Sequence, residues 1–312
     1  MLPPVNQQSI SFDSHGFQLS GTITIPEGAP ERPAILLLPG SGQIDRDDNA
    51  KTLKINLFTE LVSTLNESGF ITLRYDKRGV GESQGDYWSC GFDDLLDDAE
   101  QAISFLSNEP GVDSNKVFVL GHSEGASIAL RLAARGNNIA GVIALAGFAK
   151  TGEETMLWQT KQVGESLTGF NAFVIRVLKI DLVNSLQKNL SKIKQSKKDS
   201  IRIKGSKINA KWMREFLAYD PKADFKNIKA PVLAITGSHD IQVDPEDLKT
   251  MKQLTSSDFE SHSPEGLSHL LRQDDHKKGL ATYKSQAKMP VDQNTIKLIA
   301  DWLALRAQSH RP

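Results

Sequence analysis

The segment at residues 116–134, KVFVLGHSEGASIALRLAA, limits the possible fold more than any other part of the sequence. It begins with an apolar run at 117–120, which has the length and composition of a buried strand. The chain then turns through GHSEG at 121–125 and continues in small residues that favour a helix. Because glycines stand two positions before and after Ser123, strand and helix can meet in a tight G-x-S-x-G nucleophile elbow. The segment predicts a nucleophilic Ser123 at a helix N-terminus, where N–H groups stabilise developing negative charge.

Composition narrows the class of protein to which this elbow belongs. The chain has 312 residues, of which 39% are hydrophobic, and a formal net charge of −1, which gives no general attraction to nucleic acid. No apolar run approaches the roughly 20 residues that cross a membrane, and the first residues do not resemble a signal peptide. The single cysteine, Cys90, excludes an internal disulfide. We therefore expect a cytoplasmic protein with no nucleic-acid partner and no membrane span; the composition leaves homo-oligomer formation open.

On both sides of the elbow, apolar strand patterns alternate with amphipathic helix patterns. Two alternating runs at 9–13 and 18–25 predict an antiparallel hairpin at a sheet edge. Further strands are predicted at 34–38, 70–75, 139–146, 231–236 and near Phe259, and helices at 53–68, 92–108, from Pro245 and at 295–306. Strands and helices that alternate in this way predict an α/β fold with a doubly wound, mostly parallel sheet.

This alternation stops between about residues 150 and 228. Five apolar residues in the segment have helical spacing: Phe173, Val174, Val177, Leu178 and Leu182. The stretch at 188–207 is dense in Lys and Arg but has no interleaved aromatic residue, which favours a solvated helix face over a nucleic-acid site. We therefore predict a helical cap at 150–228, without a sheet of its own, inserted into a core formed by 1–149 and 229–312.

A serine hydroxyl needs a neighbouring base to take its proton and an acid to orient that base. In an open α/β sheet these groups lie at the carboxyl ends of the strands. Asp240 follows directly on the predicted strand that ends at Thr236, and His269 lies in the loop after the last strand. The chain order Ser123, Asp240, His269 therefore predicts a catalytic triad. His122, inside the elbow, is interpreted as a packed side chain.

Two other residues compete for the roles of acid and base. Asp244 shares a loop with Asp240, and this loop can place either carboxylate near the imidazole. His262 ends the last predicted strand, whereas His269 lies several residues into the following loop, far enough to return over Ser123. We therefore favour Asp240 as the acid and His269 as the base.

Four parts of the sequence resemble motifs of one known group of enzymes. They are PGSGQIDRD at 39–47, RYDKRGVGES at 74–83, GHSEG at 121–125, and the pair GSHDIQV at 237–243 and GLSH at 266–269. In this order they are similar to bacterial α/β-hydrolases of the group that spans short-chain carboxylesterases and serine aminopeptidase-like (S33-type) hydrolases. The resemblance covers nearly the whole chain. It departs from the group at Pro39, where many relatives have His, and at Ala126, where a third elbow glycine is frequent.

The resemblance implies an α/β-hydrolase fold with an oxyanion hole formed by the backbone N–H groups of Ser41 and Glu124. The positions of these two residues in the chain agree with such a role, since Glu124 follows the nucleophile and Ser41 lies in the loop after the first parallel strand. The Asp-Arg-Asp motif at 45–47 is interpreted as a salt-bridged loop that braces the oxyanion turn against Asp76 and Arg78, in preference to a contact with substrate. The turn that contains Asp76 and Arg78 is itself interpreted as structural.

Four aromatic residues of the predicted cap are candidates for an apolar acyl pocket or for plain core: Trp158, Trp212, Phe216 and Tyr219. The resemblance implies a serine hydrolase that cleaves small-molecule carboxylic esters with short- to medium-chain acyl groups. It would act through an acyl-enzyme intermediate, without a metal or cofactor. A peptidase, an amidase or a thioesterase would use the same triad, so these alternatives stay open. A ligand receptor without turnover is disfavoured because the Ser, Asp and His set is intact.

Overall fold

The computed structural model describes residues 5–28, 31–167, 169, 181–274 and 279–309. Its strands are β1 Val5–Ser14, β2 Phe17–Pro26, β3 Arg32–Leu38, β4 Ile71–Tyr75, β5 Val112–His122, β6 Gly141–Leu145, β7 Ser200–Ile203, β8 Ser206–Asn209, β9 Val232–Ile235 and β10 Phe259–His262. An eight-stranded sheet has the order β1-β2-β4-β3-β5-β6-β9-β10. β2 runs antiparallel to β1 and β4, and all other neighbours in this sheet are parallel. The predicted mostly parallel sheet is confirmed.

Helices cover both faces of the sheet. They are α1 Leu57–Glu67, α2 Phe92–Ser107, α3 Glu124–Ala134, α4 Gly152–Ser166, α5 Leu182–Gln195, α6 Ala210–Ala218, α7 Lys222–Asn227, α8 Asp247–Leu254, α9 Tyr283–Gln286 and α10 Gln293–Ser309, with a 3₁₀ turn at Gly279–Thr282. Strand β3 shows the two faces: Leu36 joins the apolar cluster with α2 and α3, and Leu37 joins the cluster with α1 and α10. A central strand buried on both faces explains its continuous apolar sequence.

The edge hairpin of β1 and β2 closes in a two-residue turn. His15 and Gly16 have φ angles of 52° and 85°, which is the left-handed conformation that a type I′ turn requires at both positions. This turn fixes the register in which Ser14 pairs with Phe17. The hairpin predicted from the alternating pattern is therefore confirmed.

Helix α1 begins four residues later than the apolar spacing from Leu53 predicted. Asn56 has φ 48°, a left-handed conformation that a right-handed helix excludes. The side chains of Asn49 and Asn56 hydrogen-bond each other, and Leu53 pairs with Ala50 in the loop before the helix. The start at Leu53 was wrong because a contact between two amide side chains seven positions apart, which leaves no helical periodicity, fixes the chain at Asn56.

The segment at 150–228 contains α4 to α7 and also an antiparallel ribbon of β7 and β8. The expectation that this segment forms no sheet is therefore wrong. Ile201 pairs with Ile208, and these side chains pack on a small cluster with Leu190. Lys204 and Gly205 form the turn, with φ angles of 49° and 85°. The many Lys and Ser residues around these isoleucines obscured the alternation of a strand.

Part of this segment lies outside the described residues, including Phe173, Val174, Val177 and Leu178, whose spacing predicted a helix. Every Lys and Arg in the stretch at 188–207 is exposed, as expected for a solvated face. Within the described residues, no helix has both the length and the apolar character to cross a membrane.

Candidate active site

The elbow lies between β5, which ends at His122, and α3, which begins at Glu124. Ser123 has φ 56° and ψ −113°, a strained conformation for a residue with a side chain. A Cβ atom at Gly121 would collide with the backbone of Gly125, and one at Gly125 would collide with Leu38. Both elbow glycines are therefore required by the close approach of strand, helix and loop. The Ser123 N–H donates to the Leu145 carbonyl at 2.8 Å, which fixes the turn to the neighbouring strand.

His269 and Asp240 form a buried pair at the carboxyl end of the sheet. The distance from His269 Nδ1 to Asp240 Oδ2 is 2.7 Å. The other carboxylate oxygen of Asp240 accepts the N–H groups of Gln242 at 2.7 Å and Val243 at 2.9 Å. These bonds fix the acid, which in turn fixes the imidazole with Nδ1 towards it and Nε2 available to another group. His269 and Ser123 line one common cavity.

The two rival residues are held elsewhere. His262 is still part of β10, and its Nε2 lies 2.8 Å from Glu260 Oε1 at a site where the imidazole is 39% exposed. Asp244 pairs with Lys150 Nζ at 2.8 Å. Within the described residues, the hydrogen-bonded partner of His269 is therefore Asp240 and not Asp244.

Ser41 and Glu124 both line the cavity that contains Ser123. Among the described residues, neither of their backbone N–H groups has a hydrogen-bond acceptor in the protein. The loop of Ser41 is held at Gly40, whose N–H donates to Asp48 Oδ1 at 2.7 Å and whose carbonyl accepts Lys77 Nζ at 2.6 Å. Two residues with unpaired N–H groups therefore border the cavity of Ser123, one in a loop that is held through Gly40 and one at the start of α3.

His122 does more than pack beside the serine. Its Nδ1 lies 2.6 Å from Asp48 Oδ2, and its Nε2–H donates to the backbone carbonyl of His269 at 2.9 Å. Burial alone would lower the pKa of His122, but the Asp48 carboxylate more than offsets this and the pKa is raised. Burial would likewise raise the pKa of Asp48, and His122 lowers it below its ordinary value. The raised pKa of His122 and the lowered pKa of Asp48 both favour the charged form of this pair, which joins the Gly40 loop to His269.

The pH dependence of stability tests the charge of this pair. Because folding raises the pKa of His122, the ion pair stabilises the protein fully below the ordinary histidine pKa of 6.5, and this stabilisation is lost as pH rises through the raised pKa. We expect Asp48→Asn to lower the free energy of unfolding by about 3–5 kcal/mol near pH 6, and by less at higher pH. Denaturant unfolding of wild type and variant between about pH 6 and pH 9 measures the difference.

The matched control is Asp98→Asn. Asp98 is also buried and charge-paired, but its partner Arg78 keeps its charge throughout this pH range. The destabilisation by Asp98→Asn should therefore not decrease as pH rises. A common pH trend in the two variants would contradict the ion pair between His122 and Asp48.

The Asp-Arg-Asp loop at 45–47 is braced as predicted on one side only. Arg46 pairs with Asp76 at 2.6 Å, which confirms the predicted contact with that carboxylate. Arg78 does not join this brace: its guanidinium pairs with Asp98 of α2 at 2.5 Å. The predicted contact with Arg78 was wrong because the fully buried Asp98 binds its guanidinium through both carboxylate oxygens.

Two cavities meet at Ser123. The first, of about 150 Å³, is lined by Ser41, Ser123, Glu124, Phe148, Thr155, Met156, Gln159, Trp212, Phe216, Gln242 and Val243. Of the four candidate aromatics, Trp212 and Phe216 therefore line it. Among the described lining residues, Trp158 and Tyr219 are absent, and Tyr219 instead packs in the core against Phe92. The second cavity, of about 130 Å³, lies on the side of His269, Leu270 and Tyr283.

The sheet order, together with a strained serine between a central strand and a helix, defines an α/β-hydrolase fold. Within the described residues, no cluster of three or more His, Cys, Asp or Glu side chains is arranged to hold a metal ion. The chain belongs to the serine aminopeptidase S33 family, whose model matches residues 53–276.

Known proteins resemble the chain over most of its length. Esterase EstD from Thermotoga maritima is 28% identical over 289 residues, which are 91% of this chain and 65% of EstD. The chain thus spans 65% of the length of this relative. Est1E from Butyrivibrio proteoclasticus, solved with bound ferulic acid, has a TM-score of 0.62 and 18% identity over 96% of this chain and 99% of that one. The α/β hydrolase GrgF from Penicillium sp. sh18 has a TM-score of 0.65 and 17% identity, over 97% of this chain and 99% of GrgF.

Sequence reasoning missed three residues that hold this site together: Lys77, Asp48 and the side chain of Glu124. Lys77 and Asp48 both bond the backbone of Gly40, and Glu124 bonds Lys77 at 2.9 Å. No local pattern indicates such contacts, because each joins separate loops. The one available signal is the density of charge in the turn at 76–83, which was interpreted as structural.

Proposed function

We propose that the protein is a serine hydrolase that cleaves carboxylic esters with short- to medium-chain acyl groups through an acyl-enzyme intermediate. The observation that carries the proposal is the 2.7 Å contact of His269 Nδ1 with Asp240, on an imidazole that shares a cavity with the elbow serine. A fixed imidazole beside a serine hydroxyl is the arrangement that activates this nucleophile.

The reaction then follows from the positions of the groups. His269 Nε2 takes the Ser123 proton while Ser123 Oγ attacks the ester carbonyl carbon. The negative charge that forms on the carbonyl oxygen is stabilised by the N–H groups of Ser41 and Glu124. As the tetrahedral intermediate collapses, His269 gives its proton to the departing alcohol oxygen. Water, deprotonated by the same imidazole, then releases the acid and restores the free serine.

The two cavities suggest where each half of the substrate lies. The leaving oxygen must receive its proton from His269, so we assign the alcohol to the second cavity, which that imidazole lines. The acyl group then lies in the first cavity, beside Met156 and Phe216. Its volume of about 150 Å³ equals that of an engineered protein cavity that binds benzene, which supports an acyl group of modest size.

An aminopeptidase reaction is the second candidate, because the family is described by that activity. It requires a carboxylate near Ser123 to bind the free α-amino group of a peptide. The acidic residues among the described lining of the two cavities are Glu124 and Asp48. Glu124 is bound by Lys77 and Trp212, and Asp48 is paired with His122. Since both carboxylates are already paired, the site favours an uncharged ester.

A substrate panel separates these functions. We expect kcat/KM to be highest for p-nitrophenyl acetate or butyrate, lower for the octanoate, and at least about 100-fold lower for aminoacyl p-nitroanilides and for thioesters of the same acids. Cleavage of the anilides at rates above those of the esters would favour the peptidase. No turnover of any substrate by the wild type would favour a binding protein.

The size of the acyl cavity gives a further prediction. Met156 lines it from α4, so Met156→Ala should extend the space for the acyl chain. Because one methylene in such a pocket changes rates by about 10–200-fold, we expect the octanoate-to-acetate ratio of kcat/KM to rise at least about 10-fold. Trp158→Ala on the same helix is the control, and it should leave this ratio unchanged. An unchanged ratio in Met156→Ala would place the acyl group elsewhere.

A further inference from the structure

Lys77 occupies an unusual position for its residue type. Lysine is almost never fully buried unless its ammonium group is paired. The side chain of Lys77 is only 5% exposed, and its ammonium group has two partners. Its Nζ donates to the Gly40 carbonyl at 2.6 Å and to Glu124 Oε2 at 2.9 Å. Gly40 directly precedes Ser41, and Glu124 directly follows Ser123. One buried ammonium group thus contacts both of the segments that carry the proposed oxyanion donors.

The contact with Gly40 sets the direction of the Ser41 N–H. The Gly40 carbonyl and the Ser41 N–H belong to one planar trans peptide unit, in which they point in opposite directions. By holding the carbonyl, Lys77 directs the Ser41 N–H away from itself, and Ser41 lines the cavity that it shares with Ser123. Asp48 Oδ1 accepts the Gly40 N–H, which belongs to the preceding peptide, at 2.7 Å, so the peptides on both sides of the Gly40 Cα are held by hydrogen bonds.

The contact with Glu124 extends this arrangement to α6, whose residue Trp212 lines the first cavity. The carboxylate of Glu124 is 1% exposed and is bound at both oxygens. Oε2 accepts from Lys77, and Oε1 accepts the indole Nε1–H of Trp212 at 2.5 Å. Trp212 belongs to α6, stacks on Phe216 and lines the first cavity. The side chains of Lys77, Glu124 and Trp212 therefore form one continuous chain from α6 to Gly40.

We propose that Lys77 is a positioning residue for the oxyanion hole, and that the bond from Trp212 to Glu124 makes this positioning depend on α6. The proposal rests on the proposed serine-hydrolase function. Lys77 acts through the Gly40–Ser41 peptide and does not line either cavity among their described residues. A donor that is turned from its direction stabilises the transition state less, while binding of the ground-state ester changes little.

The test is a double variant, Lys77→Met with Glu124→Gln. Lys77→Met alone would leave a buried carboxylate without its partner, which destabilises a fold strongly. The double variant removes both charges at similar volume, and the Gln carbonyl can still accept from Trp212. Because removal of one oxyanion donor costs about 10²–10³ in rate, we expect kcat for p-nitrophenyl butyrate to fall by about 10–100-fold, with KM changed less than about threefold. The second-order rate of Ser123 labelling by a fluorophosphonate should fall by a similar factor, since its P=O oxygen uses the same donors.

The control is a buried ion pair of the same kind one residue along the chain. Arg78→Met with Asp98→Asn removes a pair whose atoms are 2.5 Å apart and which touches neither Gly40 nor Glu124 among the described contacts. It should lower stability and leave the labelling rate within about twofold. An equal loss of labelling in this control would mean that the loss reports destabilisation, which would overturn the positioning role.

Trp212→Phe tests the link to α6 without disturbing the ion pair. It removes the N–H donor to Glu124, and we expect the labelling rate to fall by about 3–10-fold, whereas Trp158→Phe should have no effect. A wild-type labelling rate in the double variant, or in Trp212→Phe if the double variant does not fold, would overturn the proposal. A wild-type protein that is not labelled at all would instead contradict the serine-hydrolase function.

Discussion

Ser123→Ala is expected to lower kcat for p-nitrophenyl butyrate by about 10⁴–10⁶-fold and to leave the fold intact. The hydroxyl is the proposed nucleophile, and without it only the oxyanion donors and the binding of the ester remain to accelerate hydrolysis. The elbow itself is held by the backbone, through the bond from the Ser123 N–H to Leu145 and the close packing of Gly121. The melting temperature should therefore change by no more than about 2–4 °C.

The control for this variant is Ser127→Ala. Ser127 lies one turn further along α3 and is buried, and its hydroxyl has no hydrogen-bond partner among the described residues. We expect kcat of Ser127→Ala to stay within about twofold of wild type. If Ser123→Ala keeps more than about one per cent of wild-type kcat in protein free of wild-type contamination, another group must be the nucleophile.

His269→Ala is expected to lower kcat by about 10⁴-fold, and His262→Ala by less than about tenfold. The reason is position: His269 is fixed by Asp240 beside the cavity of Ser123, whereas His262 is a partly exposed strand residue paired with Glu260. Steady-state kinetics of the two purified variants with the same ester measure the difference. Asp240→Asn, which keeps the size of the acid but loses its charge, should approach the loss of His269→Ala.

Comparable losses in the two histidine variants would show that His269 has no special role. A larger loss in His262→Ala would reverse the assignment of the base. In either case the melting temperatures of both variants must be measured, because His269 is buried and its removal leaves the Asp240 carboxylate without its imidazole partner.

The sequence was sufficient where local pattern and chain order carry the information. The elbow combines a buried strand, two glycines and a helix start within one short segment, so its structure follows from neighbouring residues. Asp240 and His269 could be located because each follows a strand, and the carboxyl ends of parallel strands meet at one edge of the sheet. The mostly parallel sheet itself followed from the alternation of buried strands and amphipathic helices.

Contacts between loops could not be predicted in this way. The bond from Lys77 to Gly40 joins residues 37 positions apart, and the Lys77–Glu124 bond spans 47 positions. Neither has a periodicity or a turn signature. The ribbon of β7 and β8 was missed for a different reason, since its few isoleucines stand among Lys, Arg and Ser residues that are common on exposed helix faces. Long-range polar contacts and short exposed strands therefore needed the structure.

The most direct test of the account is the site of covalent labelling. The wild-type protein is incubated with a fluorophosphonate, digested, and the modified peptide is sequenced by mass spectrometry. We expect one adduct per chain, on Ser123 within the GHSEG segment at 121–125, and loss of ester hydrolysis in proportion to its formation. An adduct on any other residue, or full hydrolytic activity in protein that is fully labelled at Ser123, would contradict the proposed catalytic role of the elbow serine.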